Sequence, residues 1–195
     1  MVVGVSGRYC AGKSEVSRIL VEHGYQRIDV DRIGHEALRS EHEKVVEAFG
    51  EEILSEGEID RRLLGRIVFG DAGARKRLEA IVHPVMRRWV AEEAERGREA
   101  GTPLVIDAAL LFYMELHRSC DLVLWVEAPL LLRLLRALRR DNLSLPLLLS
   151  RFKAQRHITP QPYLHDVDIR RVNNWGSRAR LYGQVAEVPG VLPER

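Results

Sequence analysis

Cysteine is scarce in this sequence, and long apolar runs are missing. Among 195 residues there are only two cysteines, Cys10 and Cys120, too few for a fold that depends on disulfides. The longest apolar runs, such as 145–149, are far too short to span a bilayer. The chain opens without the basic segment and hydrophobic stretch of a secretory signal. These absences exclude a disulfide scaffold and predict a reduced, cytoplasmic setting with no membrane partner.

Repeats, low-complexity segments and linkers rich in glycine and serine are also missing. Hydrophobic residues make up 46% of the chain and charged residues 30%, which is ordinary for one globular domain of this length. Apolar stretches typical of strands alternate with stretches of helical periodicity. This alternation predicts an α/β fold with a mainly parallel central sheet.

The same patterns place the individual elements. Strands are predicted at 1–6, 26–30, 102–109 and 121–126, with an edge strand at 168–172. Helices are predicted after the loop at 7–14, over 130–140, after an N-cap at Ser144, and over 177–186. The stretch of about 35–100 is helical, with an N-cap at Asp60 and breaks at 70–73 and at His83-Pro84. Because it is too long for a simple crossover, we predict an inserted subdomain there.

Lysine is rare, and positive charge is concentrated in one part of the chain. Only 4 of the 30 basic residues are lysines, and the base composition of the genome is sufficient to explain this ratio. Residues 130–180 contain 11 basic and 3 acidic side chains, whereas acidic residues exceed basic ones over 1–129. Such a segment indicates an anionic partner, either a polyphosphate substrate or a nucleic acid.

One of the four lysines lies in a glycine-containing loop between a predicted strand and a predicted helix. Residues 7–14, GRYCAGKS, match the pattern GxxxxGK[ST]. A chance match somewhere in a chain of this composition is about one in a thousand. The strand–loop–helix context that the motif requires is also predicted. The loop therefore predicts a binding site for a nucleoside triphosphate.

The residue types in this loop suit a triphosphate chemically. Backbone N–H groups can converge on phosphate oxygens beside the positive end of the following helix. Lys13 is predicted to reach the β- and γ-phosphates, and the Ser14 hydroxyl to bind the Mg²⁺ that accompanies ATP. The predicted nucleotide-binding residues of the loop are Gly7, Cys10, Ala11, Gly12, Lys13, Ser14 and Glu15.

Other classes of phosphate-loop protein lack support in the sequence. The Asn-Lys-x-Asp element with which GTPases read guanine does not occur. The predicted strand at 102–109 has Asp107 followed by Ala108, so the Asp-Glu pair typical of motor ATPases and helicases is also missing. The size favours a small-molecule kinase, which needs a core, an acceptor-binding insert and an arginine-rich lid.

Further segments, which together cover nearly the whole chain, narrow the class of small-molecule kinase. They are 6–14, Ile28-Asp29-Val30-Asp31, 49–50, 59–64, 68–69, 78–84, 110–112, 136–141, Gln155 and Asn174-x-Gly176. The Asp-x-Asp after the second strand and the Ile-x-His-Pro at 81–84 are the more diagnostic parts. On these residues the sequence resembles the dephospho-coenzyme A kinase family.

The resemblance implies a three-layer P-loop fold and the final step of coenzyme A synthesis. In that step the γ-phosphoryl group of ATP is transferred to the ribose 3′-hydroxyl of dephospho-coenzyme A, giving coenzyme A and ADP. The expected parts are a core of 1–34, 101–132 and 165–195, a helical acceptor-binding insert of about 35–100, and a small helical lid of about 133–164. ATP with Mg²⁺ and dephospho-coenzyme A are the expected partners; a homo-oligomer stays open, and no nucleic acid is expected.

The resemblance also implies which residues catalyse the transfer. Asp31 corresponds to the family's base, because a carboxylate can orient the acceptor hydroxyl and accept its proton. Asp29 is the weaker candidate. We expect the strand before Asp31 to lie beside the phosphate-loop strand, which would place Asp31 at the mouth where ligands bind. Lys13 and Arg140 are the other predicted catalytic residues.

Four residues outside the loop complete the expected site. Arg136 and Arg140 match the family's lid arginines, whose planar guanidinium groups can hold several phosphate oxygens. Arg61 and His83 match positions of the insert that resembles the acceptor-binding region.

The sequence departs from the family pattern at several positions. Arg8 and Cys10 stand where glycines are usual, and a positive φ at Cys10 would cost about 1 kcal/mol or more. Glu15 replaces a usual threonine, and Tyr113 a usual glutamate.

Two other functions stay open. One is a different small-molecule or nucleoside monophosphate kinase. The other is a non-enzymatic phosphate-loop protein that binds nucleotide or nucleic acid through 130–180. The aromatic residues of that segment lack the regular spacing of a base-stacking platform.

Overall fold

The computed structural model describes residues 1–140, 145–154 and 159–192, without the side chains of 145–147 and 154. The predicted N-cap at Ser144 and the matching Gln155 lie outside these residues. The chain forms two compact units, Met1–Ile28 with Glu93–Arg195, and Asp29–Glu92. In the described part of the chain, no helix is long and apolar enough to cross a membrane.

The elements alternate between strands and helices along the chain. The strands are β1 (Val2–Gly7), β2 (Gln26–Ile28), β3 (Leu54–Ser55), β4 (Glu58–Ile59), β5 (Leu104–Asp107), β6 (Leu122–Glu127) and β7 (Asp168–Asn173). The α-helices are α1 (Lys13–Glu22), α2 (Val30–Ser40), α3 (His42–Phe49), α4 (Arg61–Gly70), α5 (Ala72–Glu99), α6 (Leu130–Arg140), α7 (Leu145–Ala154) and α8 (Arg178–Ala186). Short 3-10 helices occur at Glu51–Ile53, Leu116–Ser119 and Gln161–Tyr163.

A parallel sheet organises the first unit. Its strand order is β2-β5-β1-β6-β7, and every neighbouring pair is parallel. β1, β5 and β6 are buried almost throughout, as expected of strands covered on both faces. Apolar residues of α1 and α8, such as Ile19 and Leu181, join those of β1 in one core. The predicted α/β fold with a mainly parallel sheet is confirmed.

The predicted neighbour of the phosphate-loop strand is wrong. β5 lies between β1 and β2, because Ile106 pairs with Gly4 on one side and with Ile28 on the other. β2 has only three residues, two of them exposed, which suits an edge strand better than a central one. β5 has three fully apolar, buried residues and takes the inner position. The more deeply buried strand, β5, therefore takes the inner position, although β2 comes earlier in the chain.

The second unit is mainly helical and has its own core. Val45, Phe49, Ile53, Leu64 and Ala74 form this core. Side-chain caps begin two of its helices. The Asp60 carboxylate accepts from the Arg62 N–H (2.7 Å), as predicted, and the Asp29 carboxylate accepts from the Arg32 N–H (2.9 Å), a cap that was not predicted. The predicted strand at 26–30 therefore ends at Ile28, since Asp29 already caps α2.

Two features of the second unit were not predicted. β3 and β4 form a hairpin whose two-residue turn has positive φ at both positions, 53° at Glu56 and 82° at Gly57. The predicted break at His83-Pro84 is wrong, because α5 continues through Pro84. Val82, Val85 and Met86 are buried around the proline. Burial of these side chains outweighs the roughly 3 kcal/mol that an internal proline costs.

Candidate active site

The phosphate loop joins β1, the central strand of the sheet, to the start of α1. A Cβ atom on Gly7 would lie against the carbonyl oxygen of Val126, so only glycine fits where the chain leaves the sheet. Gly12 has a φ of 96°, and a Cβ atom there would collide with the side-chain amide of Asn174. The backbone thus requires both glycines of the motif, and the strand–loop–helix arrangement is present.

Side-chain donors hold three carbonyl groups of the loop. The hydrogen bonds run from Arg133 Nε to Tyr9 O (2.7 Å), from Asn174 Nδ2 and Arg136 Nη1 to Ala11 O (2.9 and 3.0 Å), and from Lys13 Nζ to Gly7 O (3.2 Å). In a trans peptide, the C=O group and the N–H group that follows it point in opposite directions. The N–H groups of Arg8, Cys10 and Gly12 are therefore directed away from these donors, which leaves them oriented to bind an anion.

Lys13 lies at the N-terminus of α1 in a partly buried setting. Burial lowers the pKa of its ammonium group from the ordinary value, whereas the Asp107 carboxylate acts to raise it. Arg140 and Arg133 act electrostatically to lower the pKa further. A polyphosphate beside Lys13 would stabilise the ammonium form.

Asp107 is a site residue that the sequence analysis did not assign. It ends β5, directly beside β1, and its side chain is only 8% exposed. Its carboxylate lies 3.8 Å from the Arg27 guanidinium group. An acidic residue at the carboxyl end of the strand next to a phosphate loop was the available signal.

The arginines of α6 do not act alike. Arg133 is buried, and burial lowers its pKa. Arg136 donates to the Ala11 carbonyl and also to the Asn174 main-chain oxygen (2.9 Å). Arg140 is exposed, and its guanidinium carbon lies 5.3 Å from the centroid of the Tyr9 ring. Arg133 and Arg136 thus support the loop through hydrogen bonds, whereas Arg140 contacts the ring of Tyr9.

Cys10 occupies the most strained position of the loop. Its φ is 57°, in the left-handed region that favours glycine. Its side chain is buried with Ala137 of α6 and Leu148 of α7, against Tyr9 and Phe152. Both cysteines are free thiols, and burial raises the pKa of the Cys120 thiol to about 12. The expected positive φ at Cys10 is present, and packing against α6 and α7 offsets its cost.

This geometry predicts a distinctive order of stability at residue 10. We expect Cys10→Gly to unfold with a free energy about 1 kcal/mol higher than that of Cys10→Ala, because alanine retains the backbone strain and glycine relieves it. Urea unfolding of the two variants beside the wild type measures this difference. Equal stability of the two variants would show that residue 10 is not strained.

The remaining predicted loop residues lie at the start of α1. Ser14 is exposed on the first turn. The Glu15 carboxylate is held by two guanidinium groups, Arg178 at 2.7 Å and Arg18 at 2.8 Å. Because these ion pairs occupy its side chain, a nucleotide contact by Glu15 would involve its main chain, and its predicted nucleotide contact stays a prediction.

The predicted site residues of the second unit fall at separate places. Asp31 is exposed in the first turn of α2, and its carboxylate does not serve as the cap, which Asp29 provides. Arg61 begins α4 and lines a cavity of about 510 Å³. His83 lies half-buried in α5, does not line that cavity, and has a pKa lowered by burial. The structure therefore does not bring Arg61 and His83 together in one cavity.

A second cavity adjoins the phosphate loop in the first unit. Its volume is about 260 Å³. Arg8 and Ala11 of the loop line it, together with Arg133, Trp175 and the residues at 125–129. It lies within the size range of ligand sites when its open mouth is included. Cations and an indole ring in the same wall suit an anionic, partly aromatic ligand such as a nucleotide.

A phosphate loop on the central strand of a parallel sheet, with arginines from a following helix, defines the class of P-loop kinases. The fold is similar to that of shikimate kinase from Acinetobacter baumannii, with a TM-score of 0.53 at 19% identity over 96% of this chain and 91% of that one. At this identity the likeness concerns the fold alone.

The particular family follows from closer matches. The family model described as dephospho-CoA kinase matches residues 1–173. A dephospho-CoA kinase from Wolinella succinogenes is 38% identical over 157 residues, which cover 80% of this chain and 78% of that protein. The solved dephospho-CoA kinase from Campylobacter jejuni has a TM-score of 0.69 and 28% identity, covering 96% of this chain and 94% of that one. The chain belongs to the dephospho-CoA kinase family and is an ATP-dependent kinase.

Proposed function

We propose that this chain transfers the γ-phosphoryl group of ATP to the 3′-hydroxyl of dephospho-coenzyme A, with Mg²⁺, in the cytoplasm. The observation that carries the proposal is the phosphate loop at the end of the central strand, whose Tyr9, Ala11 and Gly7 carbonyl groups are held by side-chain donors and which leads into Lys13 at the start of α1. Such a site suits the negatively charged triphosphate group of a nucleotide. Membership of the dephospho-CoA kinase family supports the choice of acceptor.

The loop would bind the donor through both main-chain and side-chain groups. The N–H groups of Cys10 and Gly12 would donate to phosphate oxygens, since their preceding carbonyls are held by Arg133, Asn174 and Arg136. Lys13 would leave the Gly7 carbonyl and bind the β- and γ-phosphate oxygens. In this proposal Arg136 acts by fixing the loop, so its effect on nucleotide affinity is indirect.

The residues near Lys13 fit a Mg²⁺ ion. Ser14 offers an exposed hydroxyl and Asp107 a carboxylate, and oxygen donors of this kind suit Mg²⁺, which retains water ligands beside one or two protein groups. Among the described residues, no group of three or more His, Cys, Asp or Glu side chains could hold a metal ion. Ser14 and Asp107 would hold the Mg²⁺, which would supply positive charge against the negative charge that develops during transfer.

Asp31 is the carboxylate that we assign to the acceptor hydroxyl. Asp29 precedes it by two residues but already accepts a hydrogen bond from the Arg32 N–H, as the cap of α2. Asp31 is exposed and has no capping task. It would accept the hydrogen bond of the 3′-hydroxyl and take its proton as the oxygen attacks phosphorus.

Arg140 would act from the lid segment of about 133–164. Its guanidinium group stacks on Tyr9, a residue of the phosphate loop itself. This contact places the guanidinium group beside the loop that would bind the phosphates. In that position the planar guanidinium group would stabilise the transferring phosphoryl group.

The proposed reaction predicts acceptor-dependent ADP release. With ATP and Mg²⁺, dephospho-coenzyme A should raise the rate of ADP release by at least about 10²-fold over the rate without acceptor, and chelation of Mg²⁺ should abolish the increase. A coupled ADP assay measures both rates. Nucleosides and nucleoside monophosphates serve as comparison acceptors.

Two outcomes would contradict this assignment. Faster transfer to a nucleoside monophosphate than to dephospho-coenzyme A would identify a different small-molecule kinase. Salt-sensitive binding of single-stranded nucleic acid without transfer to any acceptor would favour a nucleic-acid-binding protein. The basic segment itself weakens that alternative, because Arg133 and Arg136 already donate to loop carbonyls.

A further inference from the structure

An acidic side chain lies in the first turn of α1, at the end of the helix that faces the proposed donor site. α1 begins at Lys13, and its N-cap is Gly12, which has no side chain to cap the first N–H groups. Glu15 is the acidic residue of this turn. The partial positive charge of a helix N-terminus stabilises a carboxylate as well as a phosphate group. The Glu15 carboxylate therefore competes with a bound triphosphate for this charge, and it also repels the triphosphate.

Two guanidinium groups hold the Glu15 carboxylate, one at each oxygen. Arg178 Nε donates to Oε1 (2.7 Å), and Arg18 Nη1 donates to Oε2 (2.8 Å). These are charge-assisted hydrogen bonds, which are stronger than those between neutral groups. Because the Glu15 side chain is only 28% exposed, these two cations, and not water alone, compensate its negative charge close to the phosphate loop.

Arg178 also bonds to the other end of α1. It is the first residue of α8, and its Nη2 atom donates to both carboxylate oxygens of Glu22, at 2.7 and 2.6 Å. Glu22 is the last residue of α1 and lies roughly 10 Å along the axis from Glu15. Because one guanidinium group contacts both carboxylates, it lies between them along the axis. The Glu15 carboxylate is thus directed along α1, away from the N-terminal N–H groups.

We propose that Arg178 is a positioning residue for the nucleotide donor, because it neutralises Glu15 and keeps that carboxylate from the N–H groups that the donor phosphates need. The inference rests on the proposed function, which places the donor phosphates at the phosphate loop, and it adds a residue outside the loop on which donor affinity depends. Arg178 does not contact the donor itself but acts through Glu15. Its role explains how a helix that binds a triphosphate tolerates a carboxylate in its first turn.

The first test is the affinity of Arg178→Gln for ATP. Calorimetric titration with ATP and Mg²⁺ in the absence of acceptor measures the Kd. We expect the Kd to rise about 3- to 10-fold, because the uncompensated charge of Glu15 then repels the triphosphate across a partly solvated surface. The rise should shrink to less than about twofold when the salt concentration is increased from about 0.05 to 0.5 M, since salt screens such charges. A rise that salt does not reduce would contradict an electrostatic role.

Glu22→Gln is the matched control. It removes one carboxylate partner of the same guanidinium group but leaves the pair with Glu15 intact. The Kd for ATP should therefore stay within about twofold of the wild-type value. If Arg178 acted only by fastening α8 to α1, Glu22→Gln would weaken ATP binding as much as Arg178→Gln does. Equal rises of the Kd in the two variants would overturn the positioning role.

A double-mutant cycle separates neutralisation of Glu15 from direct contact with the donor. In a Glu15→Gln background no carboxylate remains to be neutralised, so Arg178→Gln should change the Kd by less than about twofold. Glu15→Gln alone should bind ATP at least as tightly as the wild type. If Arg178→Gln raised the Kd as much in the Glu15→Gln background as in the wild-type background, Arg178 would bind the donor itself and the inference would be wrong.

These measurements also separate the inference from the proposed function. If the wild type binds ATP and Arg178→Gln has the same Kd, the inference is wrong and the proposed function stands. If the expected changes of the Kd are found but the wild type transfers nothing to dephospho-coenzyme A, the proposed acceptor is wrong and the inference stands. Absence of ATP binding by the wild type would contradict both.

Discussion

Replacement of Lys13 by alanine is expected to lower kcat/KM for ATP by about 10³-fold. The ammonium group belongs to the first residue of α1, directly after Gly12 of the phosphate loop. Loss of one such preorganised donor typically costs 10² to 10³ in rate, and a full charge lies at the upper end of this range. Steady-state kinetics with ATP as the varied substrate measures the effect.

Lys76→Ala provides the control for the loss of one lysine. Lys76 is an exposed residue of α5 and belongs to neither the phosphate loop nor the cavities. Its kcat/KM should stay within about twofold of the wild type. Activity of Lys13→Ala above a tenth of the wild-type value would contradict the assignment of the phosphate loop as the donor site.

The strands and the loop could be predicted because their signals are local. Buried parallel strands are continuous apolar runs, so 121–126 and 130–140 agree with β6 and α6 to within one residue. Close contacts and a positive φ require glycine at residues 7 and 12, and the motif specifies glycine at both positions. Asp29 was identified as the less important carboxylate, and its role as a cap explains why.

The errors concern properties that depend on distant residues. The order β2-β5-β1 depends on which strand buries more apolar surface, and chain order does not report this. α5 passes through Pro84 because buried neighbours stabilise the helix, an effect of tertiary structure that overrides a local rule.

The side chains that hold the loop carbonyl groups could not be predicted from the sequence either. Asn174 lies 163 residues from Ala11, yet its amide donates to that carbonyl. Arg133 is one of several arginines in the basic segment at 130–180, and nothing in the sequence shows that it donates to the Tyr9 carbonyl. Spacing identifies which residues share a helical face. It does not identify which of them is buried.

Substitution of Asp31 by asparagine should lower kcat by about 10²-fold or more while KM for ATP stays within about twofold. Asparagine has the shape of aspartate and can still contact a hydroxyl group, but it cannot take a proton. The loss should therefore fall on the transfer step, and the donor site should be unaffected. Single-turnover measurement of phosphoryl transfer separates this step from product release.

Asp29→Asn is the control that makes the result specific to one carboxylate. Asparagine caps helices about as well as aspartate, so α2 should be retained and kcat should remain near the wild-type value. Both variants lose one negative charge at the same end of the same helix. A general electrostatic effect would therefore lower kcat equally in the two, whereas a base at residue 31 lowers it in Asp31→Asn alone. Equal values of kcat would remove Asp31 from the mechanism.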